Sequence, residues 1–272
     1  SINPAYAGNK NNTQLLLTER KQWTGIEGAP HSQSLIFHAP IKNQKMGYGL
    51  NVFNETIGAH GNFGVFGSYS YGITSPEGAI RFGVRAGLYS LKVNSNNITY
   101  REGNDPGRIT NIQSNIIPSF DAGIHFYKKN IVGGIVLSNL TESKIKFESD
   151  NIIRTNLERH FFAYAGYLFS LTDKWMFQPS TMIKYITNSP INIDFNTNFI
   201  YNDKICVGAS YRTSRSIVIM TQFFIAKNFR VGYAFDYTFK LTNNANIGGT
   251  HEIFVGFDIN KKVVGIMNPR YL

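Results

Sequence analysis

The side chains able to do chemistry in this 272-residue chain are six histidines, one thiol and a scatter of charges, and their spacing decides what is open to them. His31, His38, His60, His125, His160 and His251 include no pair four residues apart across a Glu, the helical spacing with which zinc hydrolases hold their metal. Cys206 is the single cysteine, so there is neither an internal disulfide nor a thiolate framework. No metal and no cofactor is expected. The glycine-rich stretch from Gly61 to Gly72 lacks phosphate-loop spacing and runs into no Lys-Ser or Lys-Thr. Its glycines are expected to thin a strand wall where bulky neighbours crowd. His251 beside Glu252 is the most suggestive acid-base pair, yet adjacent residues on a strand face opposite ways and cannot readily share a proton. A hydrolase would need Ser, His and an acid to converge from separate elements, and no spacing here requires that. The expectation is a protein without enzyme activity.

The elements that must position these groups are strands. Aromatic residues make up 14% of the chain, with 21 Phe and 15 Tyr, and the helix formers fall into no sustained helical period. Mean hydropathy is -0.19, and no run approaches the roughly 18 apolar residues of a membrane-spanning helix. A barrel strand escapes that test, because only alternate side chains face lipid. The net charge of +10 admits nucleic acid, anionic lipid or an acidic protein as partner. No five basic residues run together, so a nucleic-acid partner is not expected, while lipid and lipopolysaccharide phosphates stay open.

Alternation supplies the strands. Ile191, Ile193, Phe195, Thr197, Phe199 and Tyr201 oppose Asn192, Asp194, Asn196 and Asn198; Phe229, Val231, Tyr233, Phe235, Tyr237 and Phe239 oppose Arg230, Gly232, Ala234, Asp236 and Thr238. Ile80, Phe82, Val84, Ala86 and Leu88 likewise oppose Arg81, Gly83, Arg85 and Gly87. The same test predicts about fourteen segments, at 13–23, 31–40, 46–57, 60–74, 77–92, 115–128, 130–141, 158–171, 173–186, 190–202, 204–214, 215–226, 228–240 and 247–260. Most have the ten or so residues a tilted strand needs to cross a bilayer. The links between them alternate in length: every long one, Thr24 to Pro30, Val93 to Ser114, Glu142 to Leu157 and Leu241 to Asn246, falls on one side. The fold class expected is all-β, a transmembrane antiparallel β-barrel of about fourteen strands with short periplasmic turns and longer extracellular loops. One domain spans 1–272, with 1–12 an N-terminal segment and 261–272 a C-terminal periplasmic tail. A soluble propeller would repeat every 40 to 50 residues, and no such self-similarity is found. Ser1-Ile2-Asn3-Pro4 carries neither the basic segment nor the apolar core of a secretion signal, so an outer-membrane destination implies a processed or trimmed chain.

In such a barrel Arg81, Arg85, Lys184, Asp194, Arg212, Arg230, Asp236 and Asp258 face the lumen, where mutual pairing is preferred to a ligand site. Cys206 faces inward in a structural role. Trp23 and Trp175 sit at strand ends, where interfacial anchoring is the default.

Asn3-Pro4-Ala5-Tyr6-Ala7-Gly8, followed by Arg20-Lys21-Gln22-Trp23-Thr24-Gly25-Ile26-Glu27-Gly28-Ala29-Pro30, closely resembles the PorP/SprF family of type IX secretion system membrane proteins of the Bacteroidetes. Gly249-Thr250-His251-Glu252 and the terminal Pro269-Arg270-Tyr271 resemble that family's close, whereas the middle matches only in strand pattern. Family members usually carry a further short segment before the first motif. The resemblance implies an outer-membrane barrel that works with type IX secretion components. It also implies a secreted cargo protein recognised by its C-terminal domain, such as a gliding adhesin anchored at the cell surface.

Binding of that partner is expected on the long loops, through Trp23, Tyr100, Arg101, Arg108, Lys144, Lys146 and Arg154. For each of these the plain alternative is a solvated loop side chain. The segment from Trp23 to Pro30 is expected to fold inward and narrow the lumen. A diffusion channel or uptake porin for small solutes is the second reading, distinguished by an open, conducting lumen.

Overall fold

The computed structural model describes residues 2–9, 12–41, 45–94, 113–147, 153–226, 228–239 and 248–259. Seven strands come first: β1 (Thr13–Lys21), β2 (His31–Pro40), β3 (Met46–Ile57), β4 (His60–Ser75), β5 (Gly78–Val93), β6 (Gln113–Lys128) and β7 (Ile131–Ser138). The short strands β8 (Lys144–Phe147) and β9 (Ile153–Asn156) pair only with each other. β10 (His160–Tyr167) continues past a break at Leu168 as β11 (Phe169–Ser170). β12 (Trp175–Ile186), β13 (Asn192–Tyr201), β14 (Ile205–Arg212), β15 (Ser216–Ala226), β16 (Phe229–Thr238) and β17 (Thr250–Ile259) complete the set. With β10 and β11 as one stave and the β8–β9 hairpin set aside, fourteen antiparallel staves remain. The sheet closes once into a cylinder: neighbouring staves pair in chain order, β10 with β12 among them, and the first stave, β1, pairs with the last, β17.

Closure is required by the solvent. Hydrocarbon offers peptide groups no hydrogen bonds, so a membrane sheet must have no free edge. The side chains sort as the alternation predicts: Ile80, Phe82, Val84 and Leu88 are exposed outward while Arg81 is 2% exposed inside. Phe195 and Phe199 point out, and Asp194 on the same stave is buried. Two aromatic girdles mark where lipid ends. Tyr48, Tyr71, Tyr167, Trp175 and Tyr201 are exposed near the short turns, Trp175 and Tyr201 with ring centroids 4.7 Å apart; Tyr185, Tyr211 and Tyr237 are exposed near the loops. Trp175 and Tyr185 are ten positions apart on one stave, about 33 Å of strand, which a tilt near 40° turns into the roughly 25 Å apolar band of such barrels. Trp175 is thus an interfacial anchor, as expected. Gly64, inside the glycine-rich stretch, lies beneath the Phe53 and Phe66 rings.

The wall is uneven in height. β4, β5 and β6 each run 16 residues, and β5 pairs with β6 all the way from Gly78–Lys128 to Val93–Gln113, whereas β7 reaches only as far as Ala122 on β6. This raised side carries the β8–β9 hairpin, which the alternation test had merged into a loop. Ser143 Oγ donates to the Pro118 carbonyl at 2.8 Å, and Leu140 N to the Phe120 carbonyl at 2.9 Å, on the upper part of β6.

A charge placed on the outer face tests the assignment. Phe195→Arg puts a guanidinium at mid-bilayer and is expected to destabilise insertion by about 2–4 kcal/mol, while Asn196→Arg, facing the lumen, costs far less. Folding titrations into lipid vesicles check this, and equal penalties would contradict the orientation.

Candidate functional site

The lumen is occupied at its short-turn end by the chain's own N-terminal segment. Asn3 caps a single 3-10 turn, Pro4–Tyr6, by accepting from Ala5 N at 2.9 Å, and Pro4 fits the first helical position because no N–H is needed there. Tyr6 N and Ala7 N close the turn on the Asn3 and Pro4 carbonyls, each at 3.1 Å. The segment then leaves through Gly8, whose φ of +65° suits glycine.

One wall receives this turn. Arg81 on β5 donates from Nε to the Ala5 carbonyl at 3.3 Å and from Nη2 to the Ala7 carbonyl at 3.1 Å, and Nη2 also reaches Ser70 Oγ at 2.7 Å. Ser70 on β4 donates to the same Ala7 carbonyl at 2.6 Å. Asn3 Nδ2 donates to the Ile124 carbonyl at 2.9 Å and to Tyr164 Oη at 3.0 Å. Asn9 Nδ2 lies 2.9 Å from His125 Nε2; with that nitrogen accepting, His125 Nδ1–H donates to Tyr164 Oη at 2.7 Å. The Tyr6 ring meets His38 and His125 edge-on, at centroid distances of 5.6 and 5.3 Å. Close approach depends on missing side chains: a Cβ on Gly83 would collide with the Ala5 backbone, and one on Gly47 with the Ala7 carbonyl. Arg81 therefore serves the segment rather than an acid. Across the lumen at the same end, Leu168, Ile200 and Cys206 form a small buried cluster, which gives Cys206 the inward structural place expected of it.

Nearer the loops the lumen charges pair with one another, as expected. Asp236 accepts from Arg20 at 3.1 Å and from Arg212 at 2.6 Å, Arg20 also holds Glu252 at 2.9 Å, and Asp194 binds Lys184 at 2.5 Å with Arg212 at 3.6 Å. Arg85 pairs with buried Asp121, whose other oxygen accepts from Asn139 N at 2.9 Å and pins the start of the loop after β7. At the short-turn end Gln14 donates to Asp258. His251 turns outward to Tyr233 at 2.7 Å while Glu252 turns inward, so that pair shares no face. A vestibule of about 410 Å³ opens among Arg20, Arg85, Tyr89, His160 and Glu252 toward the loops.

The Trp23 to Pro30 segment, expected to narrow the lumen, lies along the rim instead. Thr24 N donates to the Gly249 carbonyl at 3.2 Å and Gly248 N to the Thr24 carbonyl at 2.8 Å, while Gly58 N holds the Gly28 carbonyl at 2.8 Å. These bonds tie it sideways to β17 and to the β3–β4 turn, with Gly25, Ile26, Glu27 and Gly28 exposed. The narrowing is done by residues 2–9. Trp23 is half-buried with φ +45° and its N–H reaches Thr250 Oγ1 at 3.3 Å. Lys144 is exposed on β8. Lys146 and Arg154 are register partners across the β8–β9 hairpin, with side chains outside the described part, and Tyr100, Arg101 and Arg108 lie outside the described residues, as does the 261–272 tail.

Gly83→Leu is expected to expel the N-terminal turn and raise ion conductance in planar bilayers several-fold over the unaltered barrel. Gly67→Leu, where a side chain meets open space, leaves conductance unchanged. A folded Gly83→Leu barrel conducting no better than the parent would show that the turn does not limit passage.

No curated protein matches the sequence. Among solved structures the fold resembles the outer membrane protein Omp33 of Acinetobacter baumannii, with 12% identity and a TM-score of 0.53 over 93% of this chain and 100% of that one. It also resembles a FadL homologue of Pseudomonas aeruginosa, at 12% identity and TM-score 0.57, covering 94% and 92%. The toluene transporter TbuX of Ralstonia pickettii is similar at 10% identity and TM-score 0.57, covering 94% and 92%. At these identities the likeness concerns the fold alone, that of an outer-membrane barrel. The family model for the type IX secretion system membrane protein PorP/SprF matches residues 1–257, from the N-terminal turn into the last stave, and the chain belongs to that family.

Proposed function

We propose that this outer-membrane barrel of the type IX secretion system is a non-enzymatic receptor, binding or anchoring a secreted cell-surface protein through that protein's C-terminal domain. The observation that carries the reading is the division of the molecule. Its periplasmic end holds its own first residues inside the lumen, while its extracellular end is built up into the β5–β6 wall, the β8–β9 hairpin and the tied Trp23 loop. A barrel meant for free passage gains nothing from the first, and a binding platform needs the second. The contacts we assign to the partner are Trp23, Tyr100, Arg101, Arg108, Lys144, Lys146 and Arg154. Arg and Trp are frequent anchors of protein interfaces, and the basic members suit an acidic partner face.

A diffusion channel is the second reading. It is favoured by the vestibule and by the resemblance of the fold to the toluene transporter TbuX.

Isolation from the native outer membrane in mild detergent, with mass spectrometry of what accompanies the barrel, separates the two. The receptor reading expects a large secreted protein that no longer accompanies the barrel once its C-terminal domain is deleted. Lys144→Glu with Arg154→Glu is expected to lower its recovery about tenfold, equivalent to about 1.4 kcal/mol. Recovery of the barrel alone, under conditions that preserve other outer-membrane complexes, supports the channel.

A further inference from the structure

Beside the N-terminal turn lies a cavity of about 270 Å³ that the turn does not fill. Its walls differ from the rest of the lumen. Leu16 on β1, Ile36 on β2 and Met182 on β12 turn apolar side chains inward, where the neighbouring inward positions Thr18, Arg20, Ser34 and Lys184 are polar, and all three stay partly exposed to the cavity. Tyr6 and Ile2 of the segment form the opposite side. Apolar groups facing a wet interior are costly unless something covers them.

The cavity also holds a cation. Arg20, Arg85, Lys184 and Arg212 all pair with acids, and Arg81 is committed to the Ala5 and Ala7 carbonyls. Arg230 has no ion pair and no side-chain hydrogen bond among the described residues, and its Nε is buried without a partner. The acid next along its face, Asp258, accepts from Gln14. A guanidinium left partly desolvated over an apolar pocket is complementary to a carboxylate with a short hydrocarbon body. Access runs from the loop side, since Ile2 and Ile36 line both this cavity and the vestibule above it.

We propose that this cavity binds a small amphipathic anion entering from the extracellular side, its carboxylate on Arg230 and its apolar body against Leu16, Ile36 and Met182. The volume lies just below the range that holds drug-sized molecules, which limits the occupant to a compact one. The site is independent of the receptor reading, because it uses neither the rim nor the loops.

The test is titration of the whole barrel in lipid nanodiscs with hexanoate, followed by ligand-observed NMR, with acetate and hexylammonium as comparison probes. Saturable hexanoate binding is expected, falling about tenfold or more in Arg230→Gln and in Leu16→Asn and surviving in Arg230→Lys. Arg215→Gln, on the turn after β14, leaves it unchanged. Retained far-ultraviolet β signal shows that each variant is folded, and Leu16→Asn carries the test if Arg230→Gln does not fold. Acetate or hexylammonium binding as tightly as hexanoate, indifference to both substitutions, or no saturable binding overturns the proposal.

Discussion

A peptide group facing hydrocarbon has no hydrogen-bond partner except one the chain supplies, and that constraint governs this molecule at two scales. At the larger scale it forces the sheet to close, so that β1 pairs with both β2 and β17. At the smaller scale it reappears inside the lumen. A turn buried there brings carbonyls that water reaches poorly, and the Ala5 and Ala7 oxygens are satisfied by Arg81 and Ser70 instead. The wall that shields the lumen from lipid therefore also supplies the donors that hold the turn.

The same reasoning explains the arrangement of the lumen charges. Asp236 is almost fully buried and accepts from two arginines, while Asp194 accepts from Lys184 and lies near Arg212. With Arg20 and Glu252 the ribbon carries three cations and three acids and is itself neutral. Desolvation offsets much of the attraction in such pairs, so the ribbon acts more through where it holds the staves than through raw stability.

Nearly all of the barrel was legible in the sequence because strand alternation is local. Fourteen staves, the facing of Phe195 against Asp194 and the inward place of Cys206 follow from period two alone. The N-terminal turn was not legible in the same way. Asn3-Pro4 does announce a capped turn, but its receptor is assembled from Ser70, Arg81, His125 and Tyr164, and Tyr164 lies 161 positions from Asn3. No periodicity reports contacts across such distances. The tied Trp23 loop was misplaced for the same reason, since its partners, Gly249 and Gly58, come from the far end of the chain and from another hairpin. The β8–β9 hairpin escaped because its strands are only four residues long.

The order of the chain gives the N-terminal turn one further consequence. Every residue named as holding it lies between His38 and Tyr164, on β2 to β10, whereas the last pairing needed to shut the cylinder joins β1 to β17. In a sheet laid down in chain order, the cradle is complete while the cylinder is still an open trough. The turn can settle sideways into that trough, and the remaining staves then curl around it, so no segment has to be threaded into a finished pore. In that order the turn would be enclosed by the wall as the wall is finished.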